Sequence, residues 1–265
     1  MQSNRLDELS EQRIVDGLHT CFVGRETVYR VSVASTNTLA MELAQQGAPE
    51  GTLVIAEEQT AGRGRLGRRW LAPCGSSLLM SLIFHPQLPP TKVPQLTMIC
   101  GLAVRQAIRE ATGLPAQLKW PNDILIRGRK TGGILTEASS LGEQLRYAVV
   151  GIGLNVNLTP EELPENFAAT SIAHELGRPL PRLPLVHKLL CQIEERYLDL
   201  YTGASPVNEW SAALDTLGQR VRLSTPRGSW EGLAMAVDEE GALLLRLDDG
   251  QTKKVLAGDI APREH

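Results

Sequence analysis

The spacing of apolar and polar positions changes texture near residue 217. Before that point, apolar runs alternate with amphipathic stretches. Residues 93–112 carry Leu96, Ile99, Cys100, Ala103, Val104, Ala107 and Ile108, the spacing of one helix face, closed by Gly113 and Pro115. Residues 184–202 repeat that spacing at Leu185, Leu189, Leu190, Ile193, Tyr197 and Leu200. Shorter helices are predicted over 5–18, over "NTLAMELAQQ" with Thr36 as its cap, and over "TSIAHELG". Strands are predicted at "ETVYRVSVAS", "GTLVIAEEQ", "SSLLMSLIFHP", "QLKW", "DILIRG", "KTGGILTEAS" and "RYAVVGIGLNVN", with hairpin turns at "RGRK" and "SSLGEQ". After residue 217 come "RVRLST", "WEGLAMAVD", "ALLLRLD" and "TKKVLAG", split by "PRG", "EEG" and "DDG". These predict a small all-β unit, a five-stranded barrel.

The expected architecture is α+β. A main domain over 1–216 holds a mixed, mostly antiparallel sheet with helices, and a β domain follows over 217–265. The regular strand–helix alternation of a doubly wound fold is missing. Composition narrows the function. A formal net charge of −3 gives no global attraction to nucleic acid or to an anionic membrane, so any anion site is local. No apolar run reaches the length of a membrane span, and the start "MQSNRLDELSEQR" lacks the apolar core of a signal peptide. Cys21, Cys74, Cys100 and Cys191 are widely spaced with no C-x-x-C, which reads as buried reduced thiols in a cytoplasmic protein. The five histidines show no metal-ligand spacing.

One short loop, "AGRGRLGRRW" (61–70), concentrates four arginines and three glycines. Gly62, Gly64 and Gly67 spell G-x-G-x-x-G, but that motif and the P-loop both require a following helix. Here Pro73 and Gly75 intervene and a β-like run starts, so both are rejected. Three readings remain for the residues alone: a cradle for an anionic ligand, a nucleic-acid contact, or a solvated basic turn. Glycine lets a backbone approach a ligand closely, and arginine offers a rigid charged fork for carboxylate and phosphate. Elsewhere "SVASTN" sets small hydrogen-bonding side chains at a strand–helix junction. "LKWPNDI" sets Lys119, Asn122 and Asp123 between strands. "RKTGGILTE" sets Lys130 before a glycine pair, and "GIGLNVN" puts glycines where a strand should be apolar.

In order, S-T-N, Q-x-A-G-R-G-R with its following Trp, K-W-P-N-D, K-x-x-G-I-L-x-E and G-x-G-x-N span residues 35–157. Together they resemble the catalytic domain of biotin protein ligases, and the terminal β unit resembles that family's small SH3-like domain. The resemblance implies a class II synthetase-like fold and a two-step reaction on ATP and biotin with Mg²⁺. Biotin is activated as biotinyl-5'-AMP and then transferred to a lysine of a biotin carboxyl carrier domain, of acetyl-CoA carboxylase or a related carboxylase. By resemblance, Ser35, Thr36, Asn37, Gln59, Arg63, Gly64, Arg65, Lys130, Gly133, Gly151 and Gly153 contact biotin. Arg65, Trp70, Asn122, Asp123, Asn155 and Arg263 contact the nucleotide. Lys119, Arg65 and Lys130 are the catalytic candidates, and Asp123 is the candidate magnesium ligand. The loop is expected to order around the ligand. Only 34 residues precede Ser35, fewer than a helix-turn-helix domain with its linker needs. The expectation is therefore the class without an N-terminal DNA-binding domain, without repressor function, and with neither nucleic acid nor membrane as partner. Exposed sheet edges leave a homodimer open. The rivals are a lipoate ligase or acyltransferase, which resembles the fold without this arginine loop, and a non-catalytic nucleic-acid binder.

Overall fold

The computed structural model describes residues 8–70, 72–163, 168–226 and 228–262. Its first unit runs α1 (Glu11–Asp16), β1 (Thr27–Val33), α2 (Thr36–Gln45), β2 (Leu53–Gln59), β3 (Ser77–Phe84), α3 (Val93–Thr112), β4 (Ala116–Lys119), β5 (Asp123–Ile126), β6 (Arg129–Leu141), β7 (Gln144–Asn155), α4 (Ile172–Leu176), α5 (Arg182–Tyr201) and α6 (Val207–Ala213). The strands form one seven-stranded sheet in the order β1-β2-β3-β7-β6-β5-β4. Only β1 and β2, joined through α2, pair in parallel. Each other neighbour is antiparallel.

Helices cover the two faces unequally. α3 lies across β6, β7, β5 and β4 with α5 behind it. Its apolar stripe, Leu96, Ile99, Cys100, Ala103, Val104, Ala107 and Ile108, is buried as the spacing requires. The helix stops where Gly113 turns left-handed at φ 74° and donates its N–H to the Arg109 carbonyl. On the other face, α2 buries Ala40 and Ala44 against Val54, Ile83, Tyr147 and Val149. This second face is open beyond α2, and there Gly133 pairs with Gly153 and Leu135 with Gly151 across β6 and β7.

A second unit holds β8 (Arg220–Thr225), β9 (Gly228–Val237), β10 (Leu243–Leu247), β11 (Thr252–Val255) and β12 (Asp259–Pro262). They form one antiparallel sheet ordered β11-β10-β9-β8-β12. Five strands are present as expected; among the described residues the ladder does not close between β11 and β12. The cores of the two units are continuous, because Val221, Leu223, Leu243 and Leu245 belong to the cluster that includes Met98, Trp120 and Trp210. Trp120 is 1% exposed, and its Nε1 donates to the Gly241 carbonyl at 2.9 Å across the seam.

Some local expectations change. Of the four cysteines expected to be buried, Cys100 is; Cys21 and Cys74 are exposed and Cys191 is intermediate. The helix predicted over 5–18 is the six-residue α1, capped by the Ser10 hydroxyl, which accepts from the Arg13 N–H; residues 1–7 lie outside the described ones. Ser35, not Thr36, occupies the N-cap of α2. Thr36 is the first helical residue, and its backbone N–H and hydroxyl both go to Gln59. α6 and β12 carried no prediction of their own. α6 has seven residues behind Pro206, and β12 has four with a proline at its end.

Candidate functional site

The open sheet face collects the predicted side chains. Thr36 donates from its backbone N–H to Gln59 Oε1 at 2.7 Å and from its hydroxyl at 3.1 Å. The Ser81 hydroxyl, buried in β3, reaches Thr36 Oγ1 at 2.8 Å and Asn37 Oδ1 at 2.6 Å. Asn37 Nδ2 donates to the Leu135 carbonyl at 3.1 Å and to Glu137 Oε2 at 2.9 Å. Ser35, Thr36 and Asn37 are all buried. Ser35 makes no side-chain hydrogen bond to its own helix, so a buried hydroxyl at the cap position is not spent on capping. Gln59, at the end of β2, also lines an open cleft of about 520 Å³ with Glu58, Thr60, Ala72, Pro73 and Glu162.

The glycines on this face make room for side chains. A Cβ on Gly151 would sit 2.1 Å from Asn37 Oδ1, and one on Gly153 would sit 2.7 Å from the Trp70 indole. Asn37 and Trp70 therefore lie flat on the sheet where any larger residue would lift them. Over Gly133 there is space, with Asp123 Oδ1 and the Lys130 side chain 3.6 and 3.7 Å from an added Cβ.

The arginine loop is a hairpin. Trp70 N–H donates to the Gly62 carbonyl at 2.9 Å and Gly64 N–H to the Arg68 carbonyl at 2.7 Å. Its tip turns through Leu66 and Gly67 at φ 55° and 76°. A left-handed leucine costs about 1–2 kcal/mol. Three of its four arginines then go different ways. Arg63 pairs with Glu137 at 2.8 Å. Arg65 Nη1 donates to Asn122 Oδ1 at 2.9 Å and Nη2 to the Gly258 carbonyl at 3.2 Å. Arg68 pairs with Asp259. Burial lowers the Arg65 guanidinium below its ordinary range, opposed by Asp259 and Asp123. It stays charged at neutral pH, and a desolvated guanidinium gains more from an oxyanion than a hydrated one.

Asp123, opening β5, pairs with Lys130 on β6 at 2.6 Å. Lys130 Nζ lies 6.0 Å from the Trp70 ring centroid, the outer limit of a cation–π contact. Among the described residues, the buried Trp70 Nε1 has no hydrogen-bond partner. Asn122 also donates to the Ile134 carbonyl at 2.6 Å, so its amide supports Arg65 from a fixed position. Lys119 ends β4 opposite Asp123 in register and lines a shallow recess with Asn122 and Asp123. Asn155 lies further along β7, with its amide donating to the Thr170 carbonyl. Arg263 lies outside the described residues. Among the described residues, no three of His, Cys, Asp and Glu group as metal ligands.

Sequence reasoning gave no role to Ser81, Glu137 or Asp259. A lone hydroxyl inside the wholly buried "SLLMSLIF" was the available signal for Ser81. It likewise passed over Glu57 and Arg182, a buried ion pair at 2.6 Å that braces β2 against the start of α5.

The biotin/lipoate A/B protein ligase family matches residues 29–155, and the biotin protein ligase C-terminal domain matches residues 216–262. The chain is 42% identical to the bifunctional ligase/repressor BirA of Bacillus subtilis over 257 residues, 96% of this chain and 79% of that one. It is 36% identical to the biotin–[acetyl-CoA-carboxylase] ligase of Mycobacterium tuberculosis, covering 85% of each. In structure it is similar to the biotin protein ligase of Aquifex aeolicus in complex with biotin and ATP. The TM-score is 0.76, with 30% identity over 91% of this chain and all of that one.

Proposed function

The chain belongs to the biotin protein ligase family, and from that premise we propose how its own residues carry out the reaction. The protein is an ATP-dependent biotin–protein ligase. A biotin carboxylate oxygen attacks the α-phosphorus of ATP, the bond to the β-phosphate oxygen breaks, and pyrophosphate leaves. A lysine amine of a carboxyl carrier protein then attacks the acyl carbon, forming an amide and releasing AMP.

In the proposed arrangement, Ser35, Thr36 and Gln59 hydrogen-bond the ureido ring, which needs donors and acceptors of a buried polar kind. Asn37, Gly133, Gly151 and Gly153 shape the floor beside it. Arg63 and Gly64 close over the ligand. Arg65 holds the carboxylate and α-phosphate from one side and Lys130 from the other, releasing its hold on Asp123 as the anion arrives. Lys119 stabilises the charge that develops on the α-phosphate in the transition state. Trp70 packs on the adenylate, its unpartnered Nε1 supplied with an acceptor. Asn122, Asn155 and Arg263 complete the nucleotide contacts. A bound magnesium ion would supply charge neutralisation for the triphosphate. Asp123 would be the protein carboxylate that holds it, in line with the usual reliance of magnesium on one or two carboxylates plus phosphate oxygens. The hairpin's anchors are largely exposed ion pairs, each worth about 0–1 kcal/mol, so the loop opens and reorders around the ligand.

The carrier is the biotin carboxyl carrier domain of acetyl-CoA carboxylase or a related carboxylase. The main domain ends at 216, a boundary supported by the C-terminal family match starting there. A homodimer would use the β1 edge, where Val31 is 65% exposed, since the β4 edge pairs with Leu214 and Asp215. Four free cysteines support a cytoplasmic place, and among the described residues no helix is long and apolar enough to cross a membrane.

The observation that carries the residue assignment is the convergence of Arg65, Lys130, Asn122 and Asp123 beside the Thr36–Gln59–Asn37 network. The test is incubation with ATP, Mg²⁺ and either biotin or lipoate, read by mass analysis. Biotinyl adenylate should form and lipoyl adenylate should not; a lipoyl adenylate alone would reverse the substrate assignment.

A further inference from the structure

Glu137 lies on the face of β6 that carries Gly133 and Leu135, and it pairs in register with Val149. Its Oε2 accepts two hydrogen bonds at once. One comes from Asn37 Nδ2 at 2.9 Å, the other from Arg63 Nη2 at 2.8 Å. Asn37 in turn accepts from Ser81, the Ser81 and Thr36 hydroxyls meet at 2.8 Å, and the Thr36 backbone N–H donates to Gln59. One unbroken chain of hydrogen bonds therefore runs from the ring-binding end of the pocket to the loop that closes it, and Glu137 is its last fixed member. Asn37 alone would be satisfied by any neutral acceptor. A carboxylate is needed only for the guanidinium, and Arg63 is 46% exposed where Glu137 is 26% exposed, so the pair joins a loop charge near solvent to a more buried one on the sheet. Neighbouring Thr136 points to the opposite face, where its hydroxyl meets Thr97 at 2.7 Å. The position is thus specific to the pocket side of the strand.

We propose that Glu137 is a positioning residue that couples the biotin pocket to loop closure, orienting Asn37 over the floor and holding Arg63 so that the hairpin closes over biotin. It touches neither phosphate nor acyl carbon and acts through those two side chains. The inference rests on the reading of the loop as a clamp on the adenylate.

The experiment compares Glu137→Gln, Arg63→Gln, the double variant and Arg65→Gly. For each, kcat and the KM for biotin come from pyrophosphate release, and adenylate escape comes from labelling of bystander albumin. Glu137→Gln keeps an oxygen for Asn37 and loses the charge for Arg63. It should raise the KM for biotin about three- to tenfold, the range of a partly exposed charge-assisted contact, with kcat within about twofold and with increased albumin labelling. The double variant should be no worse than the worse single one, because both remove the same contact. Arg63→Gln reads the contact from the loop side, where the sheet is untouched, so a misfolded Glu137 variant does not stall the test. An unchanged KM and unchanged labelling in Glu137→Gln, or effects that multiply in the double variant, would overturn the coupling. If Arg65→Gly leaks adenylate while Glu137→Gln does neither, only the role of Glu137 fails. If Arg65→Gly also fails to leak, the clamp reading fails with it.

Discussion

Arg65 and Lys130 both carry positive charge toward Asp123, and their different surroundings predict different roles in the proposed reaction. Arg65 is desolvated and hung between Asn122 and the Gly258 carbonyl, so its removal should free the loop. Lys130 is half-exposed and held by a single carboxylate. Arg65→Gly should let adenylate escape and label bystander lysines, whereas Lys130→Ala should slow adenylate formation itself by about 10²–10³. Pyrophosphate release and albumin labelling measured on both variants separate the two effects, and the reverse pattern would exchange the roles. The sequence singled out both residues and the glycines of "GIGLNVN" as candidates, because glycine in a strand signals close approach, and the structure places them on one face of the sheet. What those glycines accommodate was not legible. The contacts to Asn37 and Trp70 span more than eighty residues of chain and exist only once β7 lies under α2 and the loop. Ser35 and Thr36 were legible as a pair but their duties were not, since capping and ligand binding ask for the same hydroxyl chemistry.

At the scale of elements, the long periodic pieces were the readable ones. α3 was bounded to the residue by its stripe and by Gly113, and both hairpins of β5, β6 and β7 fell at their glycine turns. α6 and β12 were unreadable because seven or four residues hold too little of either period to stand out, and their stability comes from what they pack on. β12 matters beyond its length. Asp259, its first residue, pairs with Arg68, and the preceding Gly258 receives Arg65, so a strand of the second sheet fastens the loop of the first. Asp259→Asn should loosen that end. Hydrogen exchange at the amides of residues 62–70 should quicken several-fold with the exchange of β8 and β9 unchanged. Equal exchange in both proteins would mean that the tie is idle.

For the whole molecule, a two-domain reading from texture is half the story. Strand pattern separates the units at residue 217, but the buried cluster does not separate. Met98, Trp120 and Trp210 run into Val221, Leu243 and Leu245, and a Cβ on Gly241 would meet Met98 at 2.3 Å. Sequence could not show this, because the pattern around Trp120 does not say what its ring touches. Its Nε1–Gly241 bond settles it as core at the seam. Units sharing a core unfold together. Calorimetry should therefore give one transition whose van't Hoff and calorimetric enthalpies agree; two resolved transitions would mean that the seam carries little of the stability.

The fastening of the arginine hairpin to both sheets also bears on how such a chain can diversify. A segment exchanged between relatives at the 216–217 junction would carry over a β12 whose first residue was selected against a different loop. Unless the incoming segment brings a carboxylate for Arg68 and an unobstructed carbonyl for Arg65, the hybrid inherits two sound halves and a loop that neither half recognises. Loop and terminal strand, distant in sequence, are in that sense a single heritable unit.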